Sequence, residues 1–368
     1  MFASRNFLFA KSSAAAPAAS GKLFMWGENY AGRLGLGDTI LRSSPVQVGS
    51  STTWSQINTA YTTLAVNTAG ELWAWGLNSY GTLGQNNTIN RSSPVQVGAL
   101  TNWAKPTAGN SSVLCIKTDG TLWSWGSNNG GTLGIGNNTS RSSPVQVGSN
   151  TNWAIVDNSP RQGGSVLATT TDGKLFAWGY NNEGACGLGN TASRNSPVQV
   201  GTLTNWKTPS CGIYIGLCVK TDGTLWTWGY NNVGQLGQNN TISRSSPVQI
   251  GSDTNWATPA AGANQSACVK TDGTLWTWGS NYAGNLGLGD TANRSSPVQV
   301  GALTNWSIPE FGNCCLKTDG TLWTWGSNSS GQLGQNNTIS RSSPVQVGAL
   351  TTWILNPSKG GAVGCIQS

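Results

Sequence analysis

Histidine is absent from all 368 residues. That removes the commonest general base at neutral pH, and with it the usual serine and cysteine triads. Charge is scarce as well, at 9% of the chain, with 13 carboxylates against 20 lysines and arginines. There is no Walker loop and no paired C-x-x-C of the structural zinc type. The apolar stretch FLFA ends at Lys11, which is too short for a signal peptide or a membrane span, so no membrane insertion is expected. These gaps argue against an enzyme and against a cofactor or metal site. What is abundant is 50 glycines, 19 tryptophans and many Asn, Ser and Thr, the composition of turn-rich β-structure.

The chain repeats itself seven times. Trp-Gly recurs at Trp26, Trp75, Trp125, Trp178, Trp228, Trp278 and Trp325, at spacings of 49, 50, 53, 50, 50 and 47 residues. An arginine heading RSSPVQVG, or a one-residue variant of it, follows each of these tryptophans by 16 residues, at Arg42, Arg91, Arg141, Arg194, Arg244, Arg294 and Arg341. A second tryptophan, in TNW or a close variant, follows by 28. Residues 112–126, SVLCIKTDGTLWSWG, read as one hairpin whose Asp119-Gly120 supplies a two-residue type I′ turn, with Asp placed there for positive φ. SPVQVG then reads as a third strand with Pro144 at its start or edge, and TNWA as a short fourth. Four short strands about every 50 residues, seven times over, predict an all-β, seven-bladed β-propeller of four-stranded blades. The final AVGCIQS matches VLCIKT and then stops, while KLFMWG near the start matches TLWSWG. Pairing of these two terminal strands closes the ring and removes two exposed sheet edges.

The stretch LWTWGSNYAGNLGLGDTANRSSPVQVG at 275–301 resembles the repeat of the regulator-of-chromosome-condensation family, and the resemblance runs over residues 20–368. It implies a seven-bladed propeller, a fold that in that family serves nucleotide exchange on a small GTPase, chromatin contact and β-lactamase inhibition. Family repeats carry a histidine where this chain has Gln265, and the exchange factors carry a protruding β-wedge. The longest extra piece here, in IVDNSPRQGG (155–164), adds three residues. Nucleotide exchange is therefore the least favoured role.

Most of the chemistry-bearing side chains fall on repeat positions. Asp119, Asp172, Asp222, Asp272 and Asp319 occupy hairpin turns. Cys115, Cys218, Cys268, Cys315 and Cys365 share one strand position with Ala65 and Ala168, which suits small buried packing rather than metal. The tryptophans all fall on three repeat positions and read as blade packing. The net charge of +7 is spread by repetition over the seven arginines and over Lys117, Lys220, Lys270 and Lys317 as solvated or structural cations, so no nucleic acid is expected. The arginines read as structural latches onto loop or neighbouring-blade carbonyls.

Variation is confined to the segments after TNW, read as loops on one face of the disc. Tyr61, Arg161, Tyr214 and Phe311 are its candidate binding residues, with unconstrained drift as the alternative. Residues 1–19 belong to no blade and form an N-terminal arm, with Phe2, Phe7, Leu8 and Phe9 as candidate partner anchors. The composition and near-identical repeats are similar to propellers encoded by bacteriophages. That similarity implies a non-enzymatic structural protein on a virion surface, a capsid decoration or tail component held to a protein assembly by its arm. The alternative is an extracellular or bacterial cell-surface module that binds a protein, glycan or host-surface ligand, or inhibits a protein, through its loops.

Overall fold

Antiparallel pairing organises the chain into seven four-stranded sheets. The computed structural model describes residues 20–310, 313–355 and 361–368, with the side chain of Leu355 excepted. Phe2, Phe7, Leu8, Phe9 and Phe311 lie outside the described residues. Blade 1 is Trp54–Thr59, Thr62–Asn67, Leu72–Gly76 and Arg91–Gln96, here called strands a to d. Blades 2 to 6 repeat it over residues 103–146, 153–199, 206–249, 256–299 and 306–346. Blade 7 takes strands a and b from Trp353–Leu355 and Ala362–Gln367, and strands c and d from Lys22–Gly27 and Arg42–Gln47. Six residue pairs, from Lys22 opposite Gln367 to Gly27 opposite Ala362, close the ring as the terminal sequences predict.

Strand a is innermost, because the a strands of neighbouring blades touch each other around the central channel. This corrects the sequence reading of the fourth strand. TNW opens a strand of up to six residues rather than a short fourth piece, so the first half of each variable segment is channel wall and not loop. The cysteines of the shared repeat position lie on strand b, one removed from the channel. Where strands a meet, side chains reach across: Asn58 Oδ1 accepts from the Ala108 N–H at 2.9 Å, Asp157 Oδ2 from Cys211 at 2.8 Å and Ser210 Oγ from Ala261 at 3.0 Å.

The Trp-Gly tryptophans are the joints between blades. All seven are 0% exposed, and each indole N–H donates to a backbone carbonyl of the preceding blade, at 2.8 Å for Trp125 to Thr82 and 3.1 Å for Trp26 to Gln332. The chain that receives Trp178 must come close: a Cβ on Gly134, whose φ is +70°, would stand 2.7 Å from that indole nitrogen. The second tryptophan of each repeat packs against this one and against the strand c aromatic. Trp206, for example, meets Trp226 and Trp228 with ring centroids 6.0 and 6.2 Å apart.

Candidate protein-interaction face

Strand direction gives the disc two unlike faces. Strand a runs toward one face and b returns from it, so the a–b and long c–d connections share that loop face. The b–c hairpins and the d–a connections share the opposite, turn face.

The turn face is occupied by structural chemistry. The hairpins are three-residue loops rather than type I′ turns: Lys117 N–H donates to Thr121 O at 2.9 Å, and only Gly120, at φ +77°, is left-handed. Asp119 serves instead as an acceptor for the Thr121 N–H and hydroxyl at 2.9 and 2.6 Å, and that hydroxyl accepts from the Trp123 indole at 2.9 Å. The lysines are not solvated. Lys220 Nζ lies 4.5 Å from the Trp206 ring centre and 3.7 Å from that of Trp226, and Lys117, Lys270 and Lys317 repeat this two-indole clamp at 4–8% exposure. The sequence carries part of the signal: where strand c has Phe24 or Phe176 in place of Trp, the lysine is replaced by Gln367 or Thr170, while blade 1 keeps both indoles with Asn67 at the lysine position. The cysteine thiols are buried in the blades, and burial pushes Cys115 up to about 12.

The loop face is different. Every tyrosine of the chain, seven in all, lies in an a–b or c–d connection on this face. The long c–d loops are held by an asparagine three residues after each Trp-Gly tryptophan. Asn231 donates to Asn240 O and Ile242 O at 3.0 and 3.1 Å and accepts from the Leu236 N–H at 2.9 Å; Asn29, Asn78, Asn128, Asn181, Asn281 and Asn328 are equivalent and at most 2% exposed. Side chains above these hubs are therefore presented from a fixed frame.

Two of the predicted loop-face residues come together. The Arg161 guanidinium stacks on Tyr180 and Tyr214, 4.9 and 4.5 Å from their ring centres, and Tyr214 meets Tyr230 edge-on at 5.9 Å. Beside it Gln162 donates to the Tyr80 hydroxyl at 2.6 Å, and Asn182 donates to that of Tyr180 at 2.6 Å. The three-residue insertion in blade 3 thus ties together loops of blades 1, 3 and 4. Tyr61 belongs to a second cluster, 6.3 Å from Tyr30 and 5.2 Å above the Arg33 guanidinium, which is itself buried and paired with Glu28. Tyr30, Tyr80, Tyr180, Tyr230, Tyr282 and Gln162 are the residues that sequence reasoning passed over, although the confinement of tyrosine to these segments was visible.

The seven repeat arginines open strand d at the loop face. Arg42, Arg194 and Arg294 bond carbonyls of their own loop, and Arg42 and Arg294 also pair with Asp38 and Asp290 at 2.6 Å. Arg91, Arg141, Arg244 and Arg341 make no side-chain hydrogen bond or ion pair among the described residues, and no repeat arginine there bonds a neighbouring blade.

Comparison with known proteins bears on the frame rather than on the face. Human WBSCR16 superposes with a TM-score of 0.84 at 18% identity, over 94% of this chain and all of the other. Prp20p of Saccharomyces cerevisiae, described with its binding to Gsp1p and histones, gives 0.81 at 18% identity over 94% and 92%. Yeast RCC1 (Prp20) in a structure with Kap60 gives 0.82 at 17% over 100% and 96%. At this identity the likeness establishes the fold alone. No curated protein matches the chain in sequence. The model of the regulator of chromosome condensation (RCC1) repeat matches seven times, over residues 20–63, 69–116, 119–158, 172–219, 222–269, 272–308 and 319–355, and the chain belongs to that family.

Proposed function

We propose that the chain is a non-enzymatic protein-recognition module that binds its partner through the loop face. One observation carries this: all seven tyrosines and the stacked Arg161 are on one face of the disc, and the other face has no tyrosine. Tyr and Arg are the residues that dominate binding energy at protein interfaces, and the asparagine hubs reduce the ordering cost of contact. Tyr282 at 78% exposure and Tyr30 at 59% have large apolar surface to bury. The test is affinity capture from the source material with the full chain and with Tyr180→Ala/Tyr214→Ala, compared by quantitative mass spectrometry. A partner lost by this variant, and kept by the turn-face variant Lys174→Ala, supports the reading. Equal retention by both variants overturns it.

A second reading keeps the virion-surface role, with residues 1–19 as the anchor. What supports it is the chain path: strand c of blade 7 starts at the turn face, so Ser20, to which residues 1–19 are joined, is on the side opposite the tyrosines. An anchored disc would then present its loop face outward. Full-length protein that is retained on particles from the source, while a version starting at Ser20 is not, supports this reading; equal retention removes it.

A further inference from the structure

We propose that the partner is acidic and docks over blades 1 to 4 of the loop face, with Arg161 at the centre of the contact. The inference rests on the protein-recognition reading and adds the partner's charge. Among the described residues the cations of the loop-face connections are all arginines, and their neutralisation is uneven. Blades 7 and 5 pair theirs internally, Arg33 with Glu28, Arg42 with Asp38 and Arg294 with Asp290. Arg341 of blade 6 stands alone without a carboxylate, whereas in blades 1 to 4 Arg91, Arg141, Arg161, Arg194 and Arg244 all lack a carboxylate partner among the described residues, and Glu183 is the one acid in the loops of this sector. Asp157 stands in the adjoining channel wall, where its carboxylate is already engaged by the Cys211 N–H.

The same four blades carry Glu71, Asp119, Asp172 and Asp222 on the turn face; of the lysines there, Lys117 and Lys220 are enclosed between indoles and Lys174 is paired with Asp172. The loop face of this half-disc thus holds the excess positive charge while the turn face is nearly balanced, an arrangement that steers an acidic body to the loop side. Arg161 gives the sector a fixed anchor. Two tyrosine rings hold its plane, and among the described residues its half-buried side chain makes no hydrogen bond or ion pair, so the guanidinium has donors left for a carboxylate on its exposed edge. Protein fits better than nucleic acid: Tyr180 and Tyr214 are covered by the guanidinium and Tyr230 is met edge-on, which leaves few open ring faces for base stacking.

The test titrates the full chain with fluorescein-labelled random poly(Glu,Tyr), with poly(Lys,Tyr) and a short DNA duplex in parallel. Binding of the acidic copolymer is expected to weaken about tenfold in Arg141→Ala/Arg161→Ala and to fall with added salt, as for charge-steered contacts. Lys174→Ala, on the turn face, should bind as the parent does, and equal melting midpoints show that the variants are folded. Equal or tighter binding of DNA overturns the proposal in favour of a general polyanion surface. No binding of the acidic copolymer, or equal binding of the basic one, overturns it as well. Failure of the underlying reading shows separately, as a native partner retained unchanged by Tyr180→Ala/Tyr214→Ala.

Discussion

Asn231 illustrates how much of this molecule rests on single buried polar side chains. It satisfies two carbonyls and one N–H of its loop at once. Asn231→Ala should destabilise the protein by about 2 kcal/mol, since it strands buried backbone groups. Thermal denaturation checks this, and an unmoved midpoint would show that the loop holds its shape without the hub. The position was visible as an asparagine in all seven copies, but in an Asn-rich loop it reads as one more turn residue. The turn aspartates were likewise legible in place and not in role: Asp-Gly suggested positive φ, whereas the carboxylate works as an acceptor. The Arg161–Tyr214 contact was beyond sequence reasoning. It joins residues 53 positions apart through the path of an inserted loop, which no periodicity encodes.

Among the elements, strands b, c and d were legible because each carries a repeated motif and a recognisable turn. Strand a was not. After its tryptophan it varies freely, and Pro106, Pro209, Pro259 and Pro309 interrupt it in four blades, which normally argues against a strand. Proline is tolerated because strand a is a sheet edge, with one side bonded to strand b and the other facing the channel. The closing strand was legible, since two half-hairpins at the ends of the chain match one whole hairpin inside it. Deleting Val363–Ser368 should remove the middle of blade 7 and lower the unfolding midpoint by many degrees; an unchanged melt would mean that the ring holds without this pairing.

Across the whole molecule, sevenfold repetition made the architecture readable and hid the surface, because charge and aromatic residues are distributed by which blades break the pattern. The turn face also has a pH signature. Hydrogen bonds from the following threonine hold Asp119, Asp222 and Asp272 below the usual carboxylate value. A carboxyl group whose pKa is lower folded than unfolded contributes stability above its unfolded value, about 4, and loses it as pH falls through the folded value. The urea midpoint should therefore drop between pH 7 and pH 3, and a constant midpoint would show that these turns add nothing. The ring closure has a further consequence. Gly21 lies so close to the Gln367 carbonyl that the gap between the two ends of the blade 7 hairpin is the size of an ordinary turn. The opening in the circle is then one of seven equivalent hairpin positions, and a circular permutant that joins Ser368 to Ser20 through a short turn and opens at Asp222-Gly223 should build the same propeller from a different starting point.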